Sequence, residues 1–179
     1  MKLNNTLVIA FLSVLMVGCF SDPTTAERPS KVEPTTCGDV RNLSRVGEVY
    51  LAGQPTPEDF PLLKELGIKT VINLRRSGET DLDEKALVEN NGMTYVHIPW
   101  SGPDQLTDAR LDAMRQALRD RERPLLLHCG SANRVGPAWI AYRVLDEGAT
   151  LDHAIAEAKQ IGMRTPEYET IAVRYIESR

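Results

Sequence analysis

The densest run of reactive side chains in the sequence is His128-Cys129-Gly130-Ser131-Ala132-Asn133-Arg134-Val135-Gly136. It follows the apolar stretch Pro124 to His128 and precedes a segment of helical character. A cysteine at the carboxyl end of a strand, followed by small residues and a helix, sits among backbone N–H groups at a helix N-terminus, a field that favours an anion and lowers a thiol pKa. Four residues separate Cys129 from Arg134, so a curled loop turns the guanidinium toward the sulfur, where it can hold two oxygens of a phosphate or sulfate. A nucleophile, a clamp and an anion cradle formed by Gly130, Ser131, Ala132, Asn133 and Val135 therefore coincide. This is the equipment for in-line displacement at phosphorus, in which positioning and charge stabilisation do most of the catalysis. His128 is expected to orient the loop through hydrogen bonds rather than to act as a base. Arg75 and Arg76 close another apolar run and are expected at the same rim, where a basic side chain could bind a second anionic group.

Other chemistries lack their signatures. There is no Cys-x-x-Cys, His-Glu-x-x-His, Gly-x-Ser-x-Gly, Walker or Gly-x-Gly-x-x-Gly pattern, and neither a metal nor an organic cofactor is expected. With 21 basic against 25 acidic residues and a net charge of -4, the chain has no basic stripe for nucleic acid.

The elements that must position the loop follow from periodicity. Glu48–Gly53, Lys69–Arg75, Met93–Pro99 and Pro124–His128 read as strands. Between and after them, helices are expected from Thr56-Pro57-Glu58 to Gly67, over Asp81–Asn91, from the cap Thr107 to Asp120, over Val135–Glu147, and over Thr150–Ile161 and Pro166–Glu177. Trp139 and Tyr142 are expected in the core. Alternation of this kind predicts an α/β fold with a mostly parallel central sheet flanked by helices on both faces. Ligands bind such sheets beyond the carboxyl ends of the strands.

The stretch His128-Cys129 through Arg134-Val135-Gly136 resembles the active loop of cysteine-dependent phosphatases of the dual-specificity kind, specifically the bacterial beta-lactamase hydrolase-like phosphatase domains, related to the domain fused to some NAD kinases. Ala52-Gly53-Gln54-Pro55, Gly67 to Arg75, Gly78-Glu79 and Ile98-Pro99 are similar to the same group, so the resemblance covers most of residues 45 to 147. It implies a cysteine-phosphatase-like fold and hydrolysis of a phosphorylated protein or small-molecule phosphate ester through a phosphocysteine intermediate. It also implies a general acid from the loop ahead of the nucleophile strand. Asp104, in Trp100-Ser-Gly-Pro-Asp104, fits that role, with Glu79 a weaker alternative; Asp81, Asp83 and Asp108 are expected to serve helix starts. Three features depart from the wider superfamily. The four-residue spacing is shared with rhodanese-like sulfurtransferases, in which Cys129 would carry a persulfide. Ala132 stands where glycine is usual, at a cost of about 1 kcal/mol if φ is positive there. Val135 replaces a hydroxyl residue that helps the thiolate leave. A non-catalytic anion- or protein-binding module is the third reading these departures allow.

The first residues describe an export route. Residues 1–18, with Lys2 before an apolar run, have the layout of a signal peptide. Val17-Gly18-Cys19 resembles a bacterial lipobox, with Cys19 as the lipidated residue. Residues 19–37, carrying Pro23, Pro29 and Pro34, are expected to be a flexible tether, and 38–179 the catalytic domain. The expected location is the periplasmic face of a bacterial membrane, reached only through the lipid anchor. Phe20, which is not Asp, is compatible with outer-membrane sorting. In an oxidising compartment Cys37 and Cys129 could pair.

Overall fold

Four short apolar runs pair in parallel to make the floor of the molecule. In the computed structural model, which describes residues 31–179, the strands are β1 (Glu33–Pro34), β2 (Ser44–Val46), β3 (Val49–Ala52), β4 (Thr70–Asn73), β5 (Thr94–His97) and β6 (Leu125–His128). They form one sheet in the order β1-β2-β3-β6-β4-β5. The β3, β6, β4 and β5 strands are parallel, and β1 and β2 add an antiparallel edge. Every residue of β3, β4 and β6 is buried, which is why their sequences run apolar without polar alternation.

Side chains of alternate residues feed two cores. Val49, Leu51, Ile72, Leu125 and Leu127 face α3 (Asp108–Asp120), α4 (Val135–Leu145), α5 (Leu151–Ile161) and α6 (Pro166–Glu177). Tyr50, Ala52, Val71 and Leu126 face α1 (Asp59–Glu65) and α2 (Glu84–Asn90). The α/β architecture with helices on both faces is the one the periodicity predicts. Trp139 and Tyr142 are core residues.

Some boundaries differ from expectation. The tether was expected to reach residue 37, yet Val32 is buried in the first core and Glu33–Pro34 pairs with Arg45 and Ser44. The Val32 carbonyl also accepts from Gln160 Nε2 at 3.3 Å, so the fold begins ahead of residue 38. The Thr56-Pro57-Glu58 start moves to Asp59, whose buried carboxylate accepts from Asp39 N at 2.8 Å and Thr56 N at 2.7 Å and makes the preceding residues a lead-in turn. Cys37 and Cys129 are both free thiols and pack in cores on opposite faces of the sheet, so they do not pair. The expected signal peptide and Cys19 lie outside the described residues. Among the described residues no helix is long and apolar enough to cross a membrane.

Register decides what the sheet presents. Ala52 pairs with His128, His128 with Asn73, and Asn73 with His97, so these four form one row at the carboxyl ends of the parallel strands. Cys129 is the next residue beyond that row.

Candidate active site

The loop Cys129–Arg134 leaves β6 and enters α4 without a break, Arg134 being the N-cap. Cys129 is buried, and its N–H donates to the Ala52 carbonyl at 3.3 Å. Around the loop, carbonyls are taken up by surrounding protein. Gly130 O accepts from Gln54 N at 3.4 Å, Ser131 O from Asn42 Nδ2 at 3.2 Å, and Asn133 O from Gly136 N at 3.4 Å. A trans peptide points its N–H opposite to its C=O, so the contacts of Gly130 O and Asn133 O turn the N–H groups of Ser131 and Arg134 away from those partners. N–H groups so placed at a helix N-terminus can receive an anion.

Two glycines and one alanine let the loop fit. A Cβ on Gly53 would lie 3.0 Å from Arg41 O and 3.1 Å from Gly130 O, so the Ala52-Gly53-Gln54-Pro55 turn packs backbone on backbone against the loop. A Cβ on Gly136 would lie 2.5 Å from Met163 Cβ, so only glycine admits the α5–α6 turn here. Ala132 has φ +65°, the left-handed region expected to cost an alanine about 1 kcal/mol. Its methyl is fully buried and packs against Gly162.

Arg134 is fixed on several sides. Its Nη1 donates to Glu79 Oε1 at 2.8 Å and to Trp100 O at 2.7 Å, and its Nη2 to Glu79 Oε2 at 2.6 Å. The guanidinium stands over Gly130. Burial alone would lower its pKa, but the hydrogen bond to Glu79 and the charge of a Cys129 thiolate outweigh that and raise it. Glu79 is held down at about 2, first by its hydrogen bond to Arg134 and against the opposing effect of burial. It is therefore an ionised anchor and has no proton to give, which corrects its reading as an alternative acid.

The remaining expected site residues divide by what they touch. His128, fully buried, lies 2.7 Å by Nε2 from Glu84 Oε1 and 3.4 Å by Nδ1 from the Cys129 carbonyl. Arg75 does not face open solvent: its Nη1 donates to Gln54 Oε1 at 2.7 Å, its Nη2 to the Glu79 carbonyl, and its Nε to Glu79 Oε2 at 3.5 Å. Arg75 thus braces Gln54 and Glu79 while also bounding the groove beside the loop. Arg76 is half exposed and bonds Glu79 at 3.2 Å. Val135 is fully buried, so only its backbone can reach an anion. The Asn133 side chain is spent on the α5–α6 turn, donating to Thr165 Oγ1 at 2.8 Å and accepting from Arg164 N at 2.8 Å. Asp104 is exposed on a single 3-10 turn, Pro103–Gln105, in the loop whose Trp100 carbonyl receives Arg134.

Three participants escaped the sequence reading. Glu84 and Gln54 complete the buried chain behind His128, Gln54 Nε2 donating to Glu84 Oε2 at 2.8 Å. Glu84 shares the inward face of α2 with Val88 one turn on, and a carboxylate on an apolar face is the signal that could have marked it. Arg164, on the α5–α6 turn, donates from Nη2 to Ser131 Oγ at 2.8 Å. No local pattern marks it, because the contact spans 33 residues. A groove of about 400 Å³ opens beside the loop, bounded by Arg41, Gln54, Arg75, Thr80, Leu82 and Gly130.

Comparison with known proteins gives a consistent answer. Residues 39–145 match the family described as beta-lactamase hydrolase-like protein, phosphatase-like domain. A beta-lactamase hydrolase-like protein of Agrobacterium fabrum is 36% identical over 108 residues, 57% of this chain and 25% of its own length. Inositol diphosphatase DSP3 of Arabidopsis thaliana is 32% identical over 93 residues, 49% of this chain and 46% of its own. The crystal structure of P. aeruginosa TpbA in complex with pTyr superposes with a TM-score of 0.64 at 24% identity, covering 84% of this chain and 90% of that one. The last likeness shows the fold. The chain spans only 23% to 31% of the length of its beta-lactamase hydrolase-like relatives.

Proposed function

The chain belongs to the phosphatase-like domain family of the beta-lactamase hydrolase-like proteins, and from that premise we propose that it hydrolyses phosphomonoesters with Cys129 as nucleophile. The observation that carries the reading is the fixed Arg134 guanidinium, held by Glu79 and the Trp100 carbonyl over the loop that begins at Cys129. The Cys129 sulfur attacks phosphorus, a sulfur–phosphorus bond forms, and the ester oxygen leaves with the electron pair of the broken P–O bond. Arg134 and the N–H groups of the loop carry the charge of the transferring phosphoryl group. Asp104 gives the leaving oxygen a proton and then, as carboxylate, takes one from the water that cleaves the phosphocysteine. Val135 brings no hydroxyl to assist the departing thiolate, so the second step is expected to be the slower one.

The match to phosphatase-like domains favours this reading over sulfur transfer, which the four-residue spacing alone left open. The substrate is a phosphorylated protein or a small phosphate ester. Arg164 supports a second anionic group on it, since its side chain meets the hydroxyl of Ser131 and no carboxylate among the described residues. Anchorage through Cys19 on the periplasmic face of a bacterial membrane belongs to the same proposal. It rests on Val17-Gly18-Cys19, and Cys19→Ala is expected to release the protein from the membrane fraction.

The test is hydrolysis of an aryl phosphate by the full chain in detergent, with reductant and chelator. Turnover in the wild type and its loss in Cys129→Ser are expected. Equal rates in the two proteins would refute the proposal.

A further inference from the structure

Two charges stand beside the loop on a segment that phosphoryl transfer does not use. Asp39 and Arg41 are exposed, while Val40 and Leu43 next to them are buried in the core under α1 and α2. The apolar pair anchors the segment and leaves the charged pair outside. Its backbone is fixed at several points. Asp39 N donates to Asp59 Oδ1 at 2.8 Å, the Arg41 carbonyl accepts from Gly53 N at 2.8 Å, and the Leu43 carbonyl accepts from Thr35 N at 3.0 Å. Asn42 has the left-handed φ of +53°, a conformation that asparagine adopts more readily than most residues. Its Nδ2 donates to the Ser131 carbonyl at 3.2 Å, which ties the segment to the loop that follows Cys129.

Asp39 and Arg41 both line the groove of about 400 Å³ that reaches Gly130. Neither has an ion-pair partner among the described residues. Arg75 in the same groove is already matched by Glu79. Pro57 and Leu82 add apolar surface. Open charge of each sign beside an apolar wall does not suit a compact polyanion, which Asp39 would repel. It suits an extended polypeptide, which carries backbone N–H groups, apolar side chains and charges together. Arg164 reaches Ser131 from the α5–α6 turn and takes no part in this groove.

We propose that the substrate is a phosphorylated protein, and that this groove receives the residues flanking the phosphorylated one, with Arg41 paired to an acidic side chain among them. The inference rests on the Cys129–Arg134 loop being the phosphate site, and it narrows the substrate class that the loop alone leaves open. Arg41 is then a specificity residue, remote from the reacting atoms. Because the segment is held in place before anything binds, pairing with Arg41 requires little ordering of the chain. The pair forms at an exposed rim, so it is weakened by salt and works by discrimination between substrates more than by raw affinity.

The test reads binding, so it does not depend on turnover. Fluorescence anisotropy of labelled phosphotyrosine and phosphoserine peptides is measured with the full chain in detergent carrying Cys129→Ser, alone and combined with Arg41→Ala or Arg41→Glu. Each peptide is made with glutamate, alanine or lysine on both sides of the phosphorylated residue. The glutamate form is expected to bind about fivefold more tightly than the alanine form. That advantage should vanish with Arg41→Ala and shrink in high salt, and with Arg41→Glu the lysine form should overtake the glutamate form. Arg41 is exposed, so both variants are expected to fold. A merely structural role would weaken all three forms alike and leave their ratios in place. Equal affinity for the glutamate and alanine forms, an advantage that survives Arg41→Ala, or binding of none of the peptides would overturn the proposal. Charge-dependent peptide binding by a chain whose wild type hydrolyses no phosphate ester would support the groove and count against the phosphatase reading alone.

Discussion

Replacing Glu79 by glutamine removes the negative end of the pair that fixes Arg134 and leaves a half-buried guanidinium with only carbonyl partners. The cost can be worked from the carboxyl itself. Its value falls from 4.5 to about 2 in the folded protein, mainly through Arg134. At about 1.4 kcal/mol per pH unit that separation is worth about 3 kcal/mol. With its side chain only 20% exposed, Glu79 loses little of this to solvent screening. The sign follows from the direction of the change. A carboxyl lowered on folding contributes stability that is present above about pH 4.5 and is lost as the pH falls through about 2. Glutamine does not titrate. The gap between wild type and Glu79→Gln should therefore be about 3 kcal/mol near pH 7 and shrink to about half that near pH 3. Urea unfolding followed by the fluorescence of Trp100 and Trp139, both buried, measures it at each pH. A gap below about 1 kcal/mol near pH 7, or one that does not change with pH, would refute the reasoning; the second result would mean that Glu79 works by packing and not by charge.

Asp104→Asn should lower kcat about a hundredfold, more for alkyl than for aryl esters, and leave urea stability unchanged because the residue is exposed; equal kcat on an alkyl ester would remove Asp104 from the acid role. Gly136→Ala puts a Cβ 2.5 Å from Met163 and should cost about 1–3 kcal/mol of unfolding free energy. Met163→Ala in the same chain should recover part of that loss, and strict additivity in the double-mutant cycle would contradict the clash. For Ala132→Gly, about 1–2 kcal/mol of left-handed strain is relieved, but a buried methyl worth about 0.8 kcal/mol is lost and glycine is freer when unfolded. The two nearly cancel, so urea denaturation should show a change within about 1 kcal/mol, and a larger gain would mean that the methyl's packing against Gly162 contributes little.

What the sequence disclosed depended on range. The helices over Asp108–Asp120, Leu151–Ile161 and Pro166–Glu177 are bounded by Thr107, Thr150 and Pro166, signals that act within one turn and can be read locally. The four parallel strands announced themselves as apolar runs. The edge pair did not, because two and three residues carry no usable alternation. In the site, Cys129 and Arg134 were legible because they are close in sequence and their chemistry is explicit. Their braces were not: Glu84 meets His128 across 44 residues, and Glu79 meets Arg134 across 55. Arg75 was expected at the rim, but its partners Gln54 and Glu79 were not legible, since a strand end fixes position and not the direction of a long side chain.

The polarity of the first strand sets where the described chain enters the sheet. The β1 strand is antiparallel to β2, and β2 to β3, so β1 runs in the same direction as the four parallel strands. The chain therefore arrives at the sheet from the end where those strands begin, with Val32 in the core and held by Gln160, whereas Cys129 lies where they finish. Val32 and Cys129 therefore mark opposite ends of one sheet, so a change in how the first described residues pack is felt at the end of the strands away from the site.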